Sequence, residues 1–251
     1  MKSLFGFPEV IKPWTWFDMI WPWIGLFAAF ILVVLLFATN IFRQNLEQSR
    51  WRDTKWLSWL AIPIYMIHEF EEYGIDFLGN KHAFPDGLCQ NLNLGDYPFC
   101  SIPHEFYLYV NIPLVWIFAV IAAVLSSKNP FVGLGLYSVI ISNAFAHIFT
   151  FFLRHEYNPG LITAILIFLL SFIWISRACF GIGRISKKGI LVLIGTGIIL
   201  HAILISSIFA FINQKIESTT LDLIQAVNAA TIIVFPWLGD KLLGIYNKAE
   251  T

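Results

Sequence analysis

The feature that most constrains this chain is a series of long apolar runs. A helix needs roughly 20 mostly apolar residues to cross a bilayer. Five such runs are uninterrupted, at residues 21–42, 106–125, 131–153, 161–180 and 190–212, and two more, at 56–78 and 221–243, contain polar groups. Backbone groups in lipid must pair within their own segment, and these runs lack the alternation of a barrel strand. The sequence therefore predicts an all-α, polytopic transmembrane helix bundle of about seven spans, with six as the alternative.

The composition supports a membrane protein and excludes other classes. Of the 251 residues, 58% are apolar and 13% are charged, whereas a soluble domain usually has about 45–50% and about 25%. A water-soluble enzyme is therefore excluded. Sixteen basic and sixteen acidic residues cancel, so no net charge favours a nucleic-acid partner. We treat residues 1–251 as a single integral-membrane domain whose partner is the lipid bilayer.

The basic residues are distributed unequally between the predicted loops. With seven spans, eleven of them fall on one side of the membrane and five on the other. The positive-inside rule then predicts an N-terminus outside and a C-terminus in the cytoplasm. The longest loop, residues 79–103, lies on the outer side and contains Cys89 and Cys100. These cysteines either pair in an oxidising compartment or remain free thiols.

An acidic cluster ends the interrupted run at residues 56–78. His68, Glu71 and Glu72 stand at positions i, i+3 and i+4, which places them on one face of a helix. Ionisable groups within a membrane are rare and usually face the bundle interior or a cavity. No Lys or Arg lies inside a span near enough in sequence to neutralise the two carboxylates. The cluster therefore predicts a bound cation or shared protons.

A second polar patch lies in the span at residues 131–153. Asn143 and His147 share a helix face at i and i+4. At about 1.5 Å per residue, His147 and Glu72 lie at a similar distance from the outer ends of their spans. We therefore group the two patches. Tyr157, in the turn that follows, is expected to lie over the mouth of the resulting cavity.

These residues resemble a known family. The segment His68-Glu69-Phe70-Glu71-Glu72 fits the H-x-x-E-E signature of the HXXEE family of bacterial integral membrane proteins. That family is also described by a second histidine and a Y-x-P-G motif. The run Tyr157-Asn158-Pro159-Gly160 matches the motif, and His147 is the best match for the histidine. The resemblance spans about residues 56–180 and implies a bacterial inner or cell membrane and a shared site, but no reaction, because the family's function is unassigned.

The first interpretation of the cluster is a metal site. Imidazole and carboxylate suit a divalent metal such as Zn, Fe or Mn. We predict His68, Glu71, Glu72 and His147 as the candidate ligands. Two nitrogens and one carboxylate would leave an open position for water, as in catalytic zinc sites.

Such a site predicts an enzyme. A metal-activated water could hydrolyse a hydrophobic or lipid-linked substrate, such as an ester, amide or phosphate, in an outward-opening cavity. In this hypothesis Glu72 is catalytic, Tyr157 is a donor to the substrate or transition state, and Asn143 orients a ligand.

Two alternatives remain open at this point. Glu and His side chains also form proton relays and cation pathways, so the same cluster could belong to a proton- or cation-coupled transporter or a sensor. Protonated glutamates could instead hydrogen-bond to neighbouring polar groups and stabilise helix packing.

Overall fold

The structure is a computed structural model that describes residues 15–246. In this range the chain is helical, with two isolated β-bridges outside the helices. The prediction of an all-α fold is confirmed. The helices are α1 (Trp16–Ala38), α2 (Thr54–Glu69) with a π-helical turn (Phe70–Gly74), α3 (Ala83–Asn91), α4 (His104–Leu125), α5 (Pro130–Arg154), α6 (Leu161–Cys179), α7 (Lys188–Ile212), α8 (Ser218–Asn228) and α9 (Thr231–Leu243).

Five helices are long and apolar enough to cross a membrane, namely α1, α4, α5, α6 and α7. Helices α8 and α9 meet at a bend of 43° and provide a sixth if they form one broken span. The predicted count of about seven is not confirmed, because the run predicted at residues 56–78 leaves the helix at Gly74 and carries three glutamates near its end. The predicted orientation of the termini concerns residues 1–14 and 247–251, which lie outside the described residues.

Helix α2 lies in the interior of the bundle. It begins where the carboxylate of Asp53 accepts a hydrogen bond from the backbone N–H of Trp56. It packs against α1, α4, α5 and α6, and nearly all of its residues after Lys55 are buried. The polar side chains of its last turns therefore face other helices, which is where intramembrane ionisable groups are tolerated.

Helix α3 and the chain that follows it cover the end of α2. Cys89 and Cys100 form a disulfide bond that ties α3 to the segment before α4. The sequence left this pairing open. Below α3, a cluster of buried aromatic and aliphatic side chains joins α1, the π turn, α4 and α8; its members include Trp21, Tyr73, Phe106 and Leu221. We call the end of the bundle that carries α3 the loop side.

Candidate metal centre

Three side chains from two helices converge at the loop-side end of α2. His68 and Glu72 come from α2 and its π turn, and His147 comes from α5. The Nε2 atom of His68 lies 3.6 Å from Oε1 of Glu72, and Nε2 of His147 lies 3.2 Å from the same oxygen. The three residues are 0%, 4% and 6% exposed, respectively. The ligand atoms of this His/Glu/His group all lie within 4.8 Å of one another, so the group could hold a metal ion.

The two adjacent glutamates lie in the π turn and point to different neighbours. The backbone N–H of Ile75 donates to the carbonyl of Phe70, five residues earlier, at 3.1 Å, which is the bonding of a π-helix. Glu72 meets His68 one turn before it, as the i, i+4 spacing predicted. Glu71 instead points towards α6 and does not belong to the described His/Glu/His group.

The surroundings of His68 orient its ring. Nδ1 of His68 lies 2.7 Å from Oγ1 of Thr163, and that hydroxyl lies 2.6 Å from Oε2 of Glu71, to which it donates. A hydroxyl has one proton, so it accepts from Nδ1–H of His68. In the neutral ring, the Nε2 atom then carries a lone pair directed towards Glu72. It is buried and has no hydrogen-bond partner.

His147 is oriented in the same way by a different residue. Its Nδ1 lies 2.7 Å from Oδ1 of Asn158. The orientation of that amide is set because Nδ2 of Asn158 donates to the backbone carbonyl of His147 at 3.1 Å. An amide oxygen only accepts, so Nδ1 of His147 carries a proton, and in the neutral ring Nε2 presents a lone pair.

The three converging atoms are therefore all hydrogen-bond acceptors when both rings are neutral. Acceptors gathered in a buried place without a donor are unfavourable unless a cation or a proton lies between them. For a tetrahedral ion with bonds of about 2.1 Å, neighbouring ligand atoms lie about 3.4 Å apart, and the two observed distances, 3.6 and 3.2 Å, bracket that value. Histidine ligands whose other nitrogen is hydrogen-bonded are also typical of metal sites. The donor set thus fits a divalent ion.

Gly160 lies directly against both imidazoles. A Cβ atom at this position would be 2.7 Å from Cε1 of His147 and 2.8 Å from Cε1 of His68. The residue also has φ of +91°, a conformation that glycine adopts without strain. The glycine of the Y-x-P-G motif is therefore required both for the turn and for the space that the two rings occupy.

Glu71 binds the start of α6. Its carboxylate accepts hydrogen bonds from the backbone N–H groups of Ile162 and Thr163, at 3.2 and 2.8 Å, as well as from the Thr163 hydroxyl. The first N–H groups of a helix have no partner within the helix and favour a negative charge. Glu71, predicted as a metal ligand, thus has donors on both oxygens and joins α2 to α6.

Tyr157 is bound to Glu71 rather than free at a cavity mouth. Its hydroxyl donates to Oε1 of Glu71 at 2.9 Å and accepts from the backbone N–H of Phe77 at 3.2 Å. Burial and the negative charge of Glu71 raise the pKa of Tyr157. The phenol therefore stays protonated near neutral pH and remains a donor to this carboxylate.

Asn143 lies beside the centre and contacts a histidine that the sequence did not group with it. Its amide lies between the hydroxyl of Tyr65, at 2.9 Å, and Nε2 of His201, at 2.7 Å. The contacts do not show Asn143 orienting a metal ligand. The available signal for His201 was a single histidine in an otherwise apolar span, which is insufficient to identify its partner. Thr163 was missed for a similar reason, since a threonine in the first turn of a helix is common.

A cavity of about 350 Å³ adjoins the His/Glu/His group. Its polar wall includes Glu72, His147, Asn143 and His201. The rest is mainly apolar, formed by residues of α3, α4 and α7. The volume lies at the lower end of the range for ligand pockets, about 300–1,000 Å³.

Comparison with known proteins identifies the central part of the chain. Residues 59–175 match the model of the HXXEE family, which is described as a protein of unknown function with HXXEE motif. The resemblance predicted from the motifs is thereby confirmed over this segment. It includes the three residues of the His/Glu/His group, together with Asn158, Gly160 and Thr163, but not α7. No curated protein and no solved structure matches the chain.

Proposed function

We propose that this protein is a metal-dependent integral membrane enzyme with hydrolase-type chemistry on a hydrophobic or lipid-linked substrate. The observation that carries the proposal is the convergence of three buried potential ligand atoms, Nε2 of His68, Nε2 of His147 and Oε1 of Glu72, within 4.8 Å of one another. A divalent cation, Zn, Fe or Mn, would satisfy all three. When bound, such an ion polarises a carbonyl or activates a water molecule.

Each residue of the site has a distinct task in this proposal. His68 and His147 hold the cation through Nε2, while Thr163 and Asn158 keep their Nδ1 atoms protonated. Glu72 holds it through Oε1, which leaves Oε2 to accept a proton at the cavity wall. Tyr157, predicted as a substrate donor, supports the site indirectly through its hydrogen bond to Glu71. Asn143 forms part of the cavity wall.

The proposal includes a membrane topology. We propose that α2 crosses the bilayer with its acidic end shielded by the other helices, and that α8 and α9 form one broken span. Together with the five apolar helices this makes seven spans. The N-terminus then lies outside, the C-terminus lies in the cytoplasm of a bacterial cell, and the cavity opens near the outer surface.

Elemental analysis of the purified wild-type protein tests the metal. We expect close to one equivalent of a divalent metal per chain. We also expect that His68→Ala and His147→Ala each abolish it while the helical circular dichroism is retained. His155→Ala, which removes an exposed histidine of the nearby turn, is the control and should retain the metal. A wild type that binds no metal after incubation with Zn, Fe or Mn would contradict the proposal.

A second candidate function is cation-coupled transport or sensing. It is favoured by Glu69, whose two carboxylate oxygens are buried and have no hydrogen-bond partner. Such a carboxylate next to the His/Glu/His group is what a cation pathway through the bundle would use. In that case, ion-dependent flux into proteoliposomes should be measurable and should be lost in Glu69→Gln. The enzyme proposal expects no such flux.

A further inference from the structure

The cavity beside the His/Glu/His group is lined by α3, α4, α5 and α7 as well as by the end of α2. On the loop side it is covered by α3, which contributes Phe84, Gly87 and Leu88. The disulfide of Cys89 holds α3 in that position. A ligand that entered through α3 would therefore have to displace a covalently tied helix.

The distance between helices α5 and α7 increases beside the cavity. At its closed end they touch, since a Cβ on Gly197 would lie 2.1 Å from the carbonyl oxygen of Ser138. About one turn nearer the loop side, side chains span the gap, with 2.7 Å between Oδ1 of Asn143 and Nε2 of His201. Beyond that pair, residues of both helices line the cavity. The two helices thus diverge towards the loop side.

Ala146 of α5 and Ile205 of α7 form the rim of this gap. Both line the cavity, and both are exposed, Ile205 to 49%. At about 1.5 Å per residue, Ala146 lies about 12 Å from Arg154 at the end of α5, and Ile205 about 10 Å from Ile212 at the end of α7. A gap at that depth opens towards hydrocarbon rather than towards water.

The cavity wall also limits the charge and size of a ligand. None of the residues that line it is Lys or Arg, and its basic side chains are His147 and His201, so an anionic group such as a phosphate would have no permanently charged partner among the side chains there. Arg154 donates to Asn91 at the rim but does not line the cavity. A volume of about 350 Å³ holds about a dozen groups of the size of water or a methylene, at about 30 Å³ each.

From this geometry we infer that the cavity binds a neutral, single-chain amphiphile, such as a fatty-acyl ester or amide of about a dozen carbons. The molecule enters sideways from the bilayer through the gap between Ala146 and Ile205. Its apolar chain lies against α4 and α7, and its polar group reaches Glu72 and His147. The inference rests on the proposed function only for the chemistry at the polar end, because the binding of the chain does not require the metal.

Photolabelling of the full-length protein in phosphatidylcholine bilayers tests the inference. The probe is the methyl ester of a twelve-carbon fatty acid that carries a diazirine at the end of its chain. We expect labelled peptides from α4 and α7. We also expect at least tenfold less label at these sites in Ala146→Trp, in which the indole fills the gap. Ala202→Trp, which adds the same side chain to an exposed position of α7 that does not line the cavity, is the matched control and should label as the wild type does.

Two further comparisons sharpen the test. If Ala146→Trp is misfolded, Ile205→Trp replaces it, with Ile198→Trp at an exposed, non-lining position of the same helix as its control. Unlabelled methyl laurate should compete with the probe, whereas lauroyl lysophosphatidate should not. Equal labelling of the gap variants and their controls overturns the lateral entry, and competition by the lysophosphatidate overturns the neutral ligand.

Metal content measured on the same samples separates this inference from the proposed function. A wild type that contains metal but is not labelled in the cavity overturns the inference and leaves the metal centre intact. Labelling of the cavity in a protein without metal supports the inference and contradicts the proposed function.

Discussion

At the scale of single residues, most of the side chains around the His/Glu/His group act by orienting its two histidine rings. Thr163 and Asn158 each determine which nitrogen of a histidine is protonated. Gly160 provides the space in which both rings lie. Outer groups of this kind typically contribute a factor of 10–100 to metal affinity. The turn motif is therefore part of the centre even though none of its residues belongs to the His/Glu/His group.

We predict that Gly160→Ala weakens metal binding on the order of 10–100-fold, because the new Cβ would lie within 2.8 Å of both rings. Isothermal titration with Zn²⁺ measures the change. Gly95→Ala is the control, since Gly95 has φ of +95° but no atom within 4 Å of an added Cβ. It shares the backbone penalty, about 1–2 kcal/mol, without the contact. Equal metal affinities in the two variants would rule out the steric role of Gly160.

At the scale of helices and turns, two neighbouring glutamates of the π turn at Phe70–Gly74 have different partners. Glu72 faces the imidazoles, whereas Glu71 binds the first N–H groups of α6. The start of α6 and the end of α2 are thereby joined, and α6 carries the threonine that orients His68. A change at Glu71 should therefore affect folding first, and a change at Glu72 should affect the metal first.

The pair Glu71→Gln and Glu72→Gln tests this division. Glu71→Gln presents an amide to several donors, and we expect it to reduce the free energy of unfolding by about 1–3 kcal/mol while one equivalent of metal still binds at saturation. Glu72→Gln removes a charged ligand, and we expect it to lose the metal with a smaller change in thermal unfolding. Thermal melts and elemental analysis of both variants provide the measurement. Loss of metal to the same extent in both variants would contradict the assignment of metal binding to Glu72 and of folding to Glu71.

At the scale of the whole molecule, the position of α2 makes the acidic cluster tolerable. The other long helices expose many of their apolar side chains, whereas α2 is enclosed by them. The polar groups at its end face a cavity and the turn before α6 rather than lipid. The proposed topology then places the disulfide, the turn and the cavity on the same, outer side of the membrane.

Cysteine labelling in intact cells tests that topology. The background is Cys179→Ser, which removes the free cysteine and leaves the disulfide in place. We expect a membrane-impermeant maleimide to label Glu156→Cys in intact cells. We expect Gln48→Cys and Thr251→Cys to react only after lysis. Reaction of Gln48→Cys in intact cells would show that the protein has the opposite orientation in the membrane. Reaction of Thr251→Cys alone would show that α8 and α9 turn back without crossing.

Several features were predictable from the sequence because they depend on local spacing. The lengths of the apolar runs predicted the long helices, and the i, i+4 spacing of His68 and Glu72 predicted that they share a face. Residue counts predicted a similar depth for Glu72 and His147, and the structure brings them to 3.2 Å. The motifs predicted the family match over the centre of the chain.

Other features required the tertiary structure because they depend on contacts between distant segments. The π turn that contains Glu71 and Glu72 is a small change in backbone bonding that side-chain spacing does not reveal. The partners of Glu71 come from α6, about 90 positions away in the chain. By itself the sequence determined that a histidine and two acids must be sheltered from lipid, since the cost of burying charge depends on residue type. Only the packing of α2 against α5 and α6 decided which acid faces the histidines and which binds a helix end.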